Sequence, residues 1–201
     1  INVGMSRIQP FARRSPVGAT RWYEKIGLTY SMAAKNETQG LLSEMTTPSV
    51  FFNSDRLRAG INHKANMGTN VKLLRFITLN PNATYQERWY PYALNRDYDT
   101  ISNSLVTDTL SGFHAARDFM LSAGASTTIY GIFSFKKGPV KAIRHVMYPA
   151  LSWRYAPDFT DPIWNSFQKV QIDSIGNFQT FSKYQGFIYG APGVGNQGGL
   201  N

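Results

Sequence analysis

The sequence holds 201 residues with a formal net charge of +9, no cysteine, 16% charged residues and 14% aromatic residues. That length allows one or two domains, and an aromatic-rich, charge-poor chain is not a disordered one. The lack of cysteine excludes disulfides, zinc–thiolate sites, iron–sulfur clusters and thiol nucleophiles, and no apolar run approaches the roughly 18 residues of a membrane-spanning helix.

The basic balance points to an anionic partner: nucleic acid, anionic lipid or acidic glycan. Residues 1–20 read as irregular and basic, with Arg7, Arg13 and Arg14 between the breakers Pro10 and Pro16. From Trp22 to Ala33 the period becomes two. Trp22, Glu24, Ile26, Leu28, Tyr30 and Met32 alternate with Tyr23, Lys25, Gly27, Thr29, Ser31 and Ala33. Successive strand side chains face opposite sides, so this alternation predicts a strand. A polar excursion over 34–55 follows.

The pattern returns from Arg56 to Leu73. Leu57, Ala59, Ile61, Ala65, Met67, Val71 and Leu73 oppose Arg56, Arg58, Asn62, Lys64, Asn66, Asn70 and Lys72, and His63 is the polar interruption of the apolar parity. A tight turn at Leu74-Arg75-Phe76 leads into a third strand, Ile77 to Tyr90. There Leu79, Ala83, Tyr85 and Trp89 oppose Asn80, Asn82, Thr84, Gln86 and Arg88. A second excursion, 91–118, precedes a fourth strand from Phe119 to Phe135. Lys136-Lys137-Gly138-Pro139 opens another compact turn. A fifth strand over 145–156 sets Leu151, Trp153 and Tyr155 against Ala150, Ser152 and Arg154. After a third excursion, 157–180, a sixth strand is placed in 163–173 or near 181–190.

The strands are long. Ile77 to Tyr90 extends roughly 46 Å at about 3.3 Å per residue, where a soluble strand has about 5–6 residues. A strand tilted about 45° crosses a bilayer in about 9–11 residues. Short turns on one edge and long polar excursions on the other describe an outer-membrane β-barrel. Five or six strands do not close a barrel, whose smallest form has about eight. The chain begins at Ile1 without an initiator Met and stops at Asn201; it reads as a piece of a longer protein.

Alternation alone leaves two assignments open. In a soluble sandwich the apolar parity is the core; in a barrel it meets lipid and the polar parity lines the lumen. Aromatics near strand ends, a polar parity of Gly, Ser, Asn, Thr and isolated cations, and the strand lengths favour the barrel. The candidate lumen residues are Lys25, Arg56, Arg58, Lys64, Lys72, Arg88 and Arg154. The candidate lipid-facing residues are Ile26, Leu28, Leu57, Ile61, Leu79, Leu121 and Leu151. The candidate aromatic girdle is Trp22, Tyr85, Trp89, Trp153 and Tyr155.

Other motifs point to no chemistry. Gly193-Val194-Gly195-Asn196-Gln197-Gly198 fits G-x-G-x-x-G, but no helix follows as a dinucleotide site requires. His63, His114 and His145 share no metal-ligand spacing, and no G-x-S-x-G elbow occurs. No cofactor, metal or catalytic residue is expected. The sequons at Asn36 and Asn82 are read as chance.

Several phrases occur together in order. They are Val17-Gly18 with Arg21-Trp22-Tyr23-Glu24; Asn82 with Glu87-Arg88-Trp89-Tyr90; Gly112-Phe113; Ile129-Tyr130-Gly131-Ile132-Phe133; Lys141-Ala142-Ile143-Arg144-His145-Val146 with Pro149; Tyr155-Ala156-Pro157-Asp158-Phe159; and Tyr189-Gly190 with Pro192. Over about residues 13–199 the chain resembles a divergent branch of the LptD family of outer-membrane lipopolysaccharide-assembly proteins. The resemblance implies an internal segment, 1–201, of one large transmembrane β-barrel domain in the Gram-negative outer membrane. It implies a translocon that inserts lipopolysaccharide into the outer leaflet, without covalent chemistry. Its partners would be lipopolysaccharide, outer-membrane lipids, a lipoprotein plug of LptE type and a periplasmic bridge of LptA type, with no nucleic acid. The alternatives are a porin or export barrel and a soluble β-rich module that binds anionic ligands. The family's jellyroll, disulfide cysteines and gate strands have no counterpart assigned here.

Overall fold

A computed structural model of the chain describes residues 1–15, 18–38, 57–193 and 197–200. Arg56 and most of the first excursion lie outside the described residues. The order is β1 (Asn2–Ile8), a 3-10 turn (Trp22–Lys25), β2 (Gly27–Thr38), β3 (Leu57–Gly68), β4 (Val71–Leu73) and β5 (Ile77–Asp99). Then come β6 (Ser104–Thr127), β7 (Ile129–Ser134), β8 (Ala142–Met147), β9 (Ala150–Ala156), a second 3-10 turn (Pro162–Trp164), β10 (Phe167–Gln171), β11 (Phe178–Ser182) and β12 (Gln197–Leu200).

The main sheet is antiparallel and runs β1-β2-β3-β5-β6-β9-β12, with β4 also paired to β5. Among the described residues it is open, with β1 and β12 as its edges. β7 pairs with β8, and β10 with β11, in two-stranded sheets of their own. The all-β, antiparallel expectation holds, with only two 3-10 turns among the described residues.

Three expected strands are present with a break in each. Arg56 to Leu73 divides at Thr69-Asn70 into β3 and β4, both paired to β5. Phe119 to Phe135 divides between β6 and β7, and the returning strand divides between β8 and β9. The tip of that bent hairpin is the expected Lys136–Pro139 turn, closed by Phe135 N donating to Lys141 O at 2.9 Å. Gly138 there has φ 107°, which a Cβ would disfavour. The Leu74-Arg75-Phe76 turn also holds, with left-handed backbone at Leu74 and Arg75 (φ 48° and 63°) as tight hairpins require.

Four expectations are corrected. Residues 2–8 are not irregular: Val3 and Met5 pair with Met32 and Tyr30, and a bulge follows before Ile8. Trp22–Lys25 is not strand, because the Glu24 carboxylate accepts from Arg21 N at 3.0 Å and closes a turn. Residues 91–118 are not a loop. β5 and β6 pair from Ile77–Thr127 to Asp99–Ser104, with one bulge between Tyr90 and Tyr92. The turn over 100–103 is fixed by Asp99, whose carboxylate accepts from Ile101 N and the Ser102 hydroxyl. The long and short edges therefore do not alternate as expected: the β5–β6 connection is short, and the β1–β2 connection is long. Finally, 163–173 and 181–190 supply no strand to the main sheet; β10 and β11 pair only with each other.

The core sits where the chain after β11 returns. Residues 183–192 form a strap across β5 and β6. Tyr90, Ala93, Ala116 and Tyr184 are buried there, packed by Phe187, Ile188, Tyr189 and Ala191.

Candidate functional site

Register sorts the side chains into two faces. Asn62, Lys64, Asn66 and Gly68 of β3 pair with Arg88, Gln86, Thr84 and Asn82 of β5, so these share one face. Thr29 and Ser31 of β2 join them through Asn66 and Lys64, and Asp118, Ser122 and Arg154 join from β6 and β9. Leu28, Met67, Ala83, Leu121 and Tyr155 form one cross-sheet row on the opposite face. Both parities expected from the sequence are thus real faces of one sheet.

The polar face is an amide and hydroxyl network. Asn66 Nδ2 donates to Asn82 Oδ1 (3.2 Å) and Thr84 Oγ1 (3.1 Å), and Asn82 Nδ2 donates back to Asn66 Oδ1 (3.1 Å). Gln86 Nε2 donates to the buried Asn62 at 2.8 Å. Arg88 is only 7% exposed, and its Nη1 donates to Asp118 Oδ2 at 2.8 Å. Such satisfaction is what lets buried polar groups persist. The strap covers the same face. Tyr90 Oη donates to Gly190 O (2.8 Å), Tyr189 Oη donates to Ala33 O (2.8 Å), and Leu94 N donates to Lys183 O (2.9 Å). Gly60 sits directly under it: a Cβ there would lie 3.0 Å from Ile188 and 3.2 Å from Tyr189. Burial in this packing raises the Tyr184 hydroxyl above its ordinary range.

Of the expected lumen cations, Arg58, Lys64, Lys72, Arg88 and Arg154 carry the register of this face. Lys64, Lys72 and Arg154 are exposed, whereas Arg88 is neutralised by Asp118. Lys25 does not belong with them: it lies on the 3-10 turn, and its carbonyl accepts from Arg7 Nη2 at 3.3 Å. Arg56 is outside the described residues. Arg7 was missed because residues 1–20 carried no assigned period, although Val3 and Met5 already alternate with Asn2, Gly4 and Ser6.

The apolar face carries Leu28, Ile61, Leu79, Leu121 and Leu151 by register. Ile26 adjoins them beside Trp22, Met67 and Trp153 in one shallow apolar cleft. The side chain of Leu57 is outside the described residues. Trp153 and Tyr155 stack nearly parallel, at 6.2 Å. Tyr85 and Trp89 lie on the same face but in the middle of β5, not at its end. Trp22 lies on the 3-10 turn instead of a strand, edge-on to Tyr23.

One feature of this face escapes the parity rule. Glu87 accepts from Tyr85 Oη (2.6 Å), Trp89 Nε1 (3.0 Å) and Arg117 Nε (3.1 Å). The His63 ring lies against Trp89, centroids 4.1 Å apart and planes tilted by 50°, and its Nδ1 shares a hydrogen bond with Tyr30 Oη at 2.7 Å. The cross-strand pairing Arg117–Glu87–His63 was the available signal. At Phe119 the apolar parity is met by Phe159 and Trp164. Off the sheet, buried Glu24 pairs with Arg13, which holds its carboxyl below the ordinary range. Among the described residues no group of acidic or histidine side chains is arranged to hold a metal.

An up-and-down antiparallel sheet, amide-lined on one face and aliphatic–aromatic on the other, defines the class: an all-β sheet with two chemically different faces. The chain matches the family model described as LptD protein over residues 1–201, and it belongs to that family. Membership ties it, at the level of the family, to lipopolysaccharide transport and to the outer membrane. No curated protein and no solved structure matches the chain.

Proposed function

We propose that this chain forms part of the wall of a transmembrane β-barrel that translocates lipopolysaccharide and inserts it into the outer leaflet, without covalent chemistry. One observation carries the reading. The strap lies on the polar face, where Asn66, Asn82 and Thr84 bond to one another and Arg88 pairs with Asp118, while the apolar face stays bare at Met67, Tyr85, Leu121, Leu151, Trp153 and Tyr155. A soluble sandwich does the reverse, because contiguous bare apolar surface in water is unfavourable. Lipid accepts that face, and a hydrated lumen accepts the amides and cations.

The spacing of the aromatics supports the same assignment. Trp153 shares a row with Pro81, and Trp89 lies eight residues farther along β5. That is about 26 Å along a strand, or about 19 Å across a bilayer at about 45° tilt, close to the roughly 25 Å apolar band of such barrels. Closure takes further strands, since an open edge in lipid leaves backbone groups unpaired at several kcal/mol each. In this reading the glycan follows the polar face, and a lipoprotein plug of LptE type and a bridge of LptA type complete the machine.

Depletion in the cell tests it. Loss of surface lipopolysaccharide is expected. Selective loss of one solute's uptake would assign a pore instead, and release from membranes by carbonate without detergent would leave a soluble module.

A further inference from the structure

At the end of the sheet that carries the Leu74–Phe76 turn, the polar face opens into a pocket of about 360 Å³. This lies within the usual range of small-molecule sites, about 300–1,000 Å³. Three irregularities create it. The bulge in β1 between Met5 and Ile8 brings Arg7 over the sheet. Gly27 and Gly68 pair with one another and leave no side chains beneath. The break at Thr69-Asn70 parts β3 from β4 and opens the wall beside Asn80 and Asn82.

The lining is chemically one-sided. Asn70 and Asn80 offer carboxamides able to donate and accept, with Thr29 and Thr69 hydroxyls beside them, while Asn66 and Asn82, bonded to each other, form the polar floor and leave one N–H of Asn82 for a ligand. Arg7 is the sole charged group of that lining. Its guanidinium gives one hydrogen bond, to the Lys25 carbonyl at 3.3 Å, and no carboxylate among the described residues pairs with it. A Cβ on Gly27 would run into that guanidinium, so the glycine is what lets Arg7 lie across the pocket. Neutral amides match the hydroxyls of a sugar ring, and a planar cation without a counter-charge matches an oxyanion.

We infer that this pocket binds a saccharide bearing one anionic group, a phosphate or a carboxylate, with Arg7 on the anion and the asparagines on the hydroxyls. The inference deepens the reading of the polar face as a glycan path, and rests on it for its role though not for its chemistry.

The test uses the full-length protein in nanodiscs, titrated calorimetrically with glucose 1-phosphate, glucuronate, neutral glucose and inorganic phosphate. At least one anionic sugar is expected to saturate one site, and the two arms tell phosphate from carboxylate. Neutral glucose and bare phosphate each lose one half of the contacts and bind about tenfold or more weaker. Arg7→Gln is expected to lose about tenfold or more. Gly27→Ala, which displaces the guanidinium without removing it, is expected to lose a similar factor. Arg75→Ala, which removes an equal charge on the turn outside the pocket, leaves binding unchanged. Failure of both anionic sugars to saturate overturns the inference, as does unchanged affinity in both Arg7→Gln and Gly27→Ala. A working pocket in a protein whose depletion spares surface lipopolysaccharide keeps the site and removes the translocation reading. A dead pocket with lipopolysaccharide lost does the opposite.

Discussion

The β5–β6 ribbon is one hairpin with two different halves. The half that holds residues 77–89 and 115–127 has strand neighbours on both outer edges: β3 and β4 pair with β5, and β9 pairs with β6 over Leu121–Ser126. Beyond the bulge at Tyr90/Tyr92, residues 92–99 and 104–111 pair only with each other. Apart from the Glu87–Arg117 pair, the inner half separates its side chains, amides on one face and aliphatics and aromatics on the other. The outer half mixes Asp97, Arg96 and Asp108 with Leu94, Leu105 and Val106, and β6 is exposed from Ser104 through Phe113. Ladder hydrogen bonds alone hold a strand's shape, whereas two contrasting solvents impose a period on its sequence. A lone hairpin is marginal in water. Here the strap braces it, through Lys183 on Leu94, Gln185 on Arg96 and Phe187 on Tyr92.

The largest effect is expected at the inner half's ion pair. Asp118→Ala leaves Arg88 buried without its partner, which costs about 3–5 kcal/mol for a dry site. Urea unfolding in detergent measures it, and a cost below about 1 kcal/mol would mean that water reaches Arg88. Next is a matched pair in one strand. Leu121 and Leu105 are 38% and 39% exposed, so exposure does not distinguish them. Leu121→Arg is expected to destabilise the lipid-folded protein by about 2–4 kcal/mol, and Leu105→Arg to fall within about 0.5 kcal/mol. Equal costs would erase the proposed membrane boundary between the halves. The smallest effect is at their junction. Tyr90→Phe removes the bond to Gly190 and is expected to cost about 1 kcal/mol, seen as faster amide exchange in residues 183–192 with unchanged exchange in residues 77–89.

What was legible followed from the same contrast. Period two located β2, β3 with β4, the inner part of β5, the Phe119–Ala125 part of β6, and β9, because in each the two faces meet different surroundings. The turns at Leu74–Phe76 and Lys136–Pro139 were legible as interruptions of that period. The outer half read as a loop because Asp, Asn, Ser and Thr on both faces carry no period, yet the ladder forms regardless. Trp22, Glu24 and Ile26 alternate like strand residues, but Glu24 bonds to its own turn and to Arg13. Among the site residues, Lys64, Lys72 and Arg154 followed from parity alone. Arg88 followed in position but not in its pairing, since its partner Asp118 lies in another strand. The Glu87–Arg117 pair breaks the apolar parity, and only cross-strand register reveals it. The strap was out of reach: its contacts join positions far apart in the chain, and nothing local marks them.

The strap also sets an order of assembly. Neighbours in the main sheet up to β9 are neighbours in the chain, allowing for the bent hairpin tips, so each pairing closes over a loop far shorter than those the strap closes. The strap reaches from Gly190 to Tyr90 and from Tyr189 to Ala33, separations of 100 and 156 residues. Closing loops of that size gains nothing until the surface that receives them exists. The wall therefore zips pair by pair, and the cover arrives last, onto a face already built.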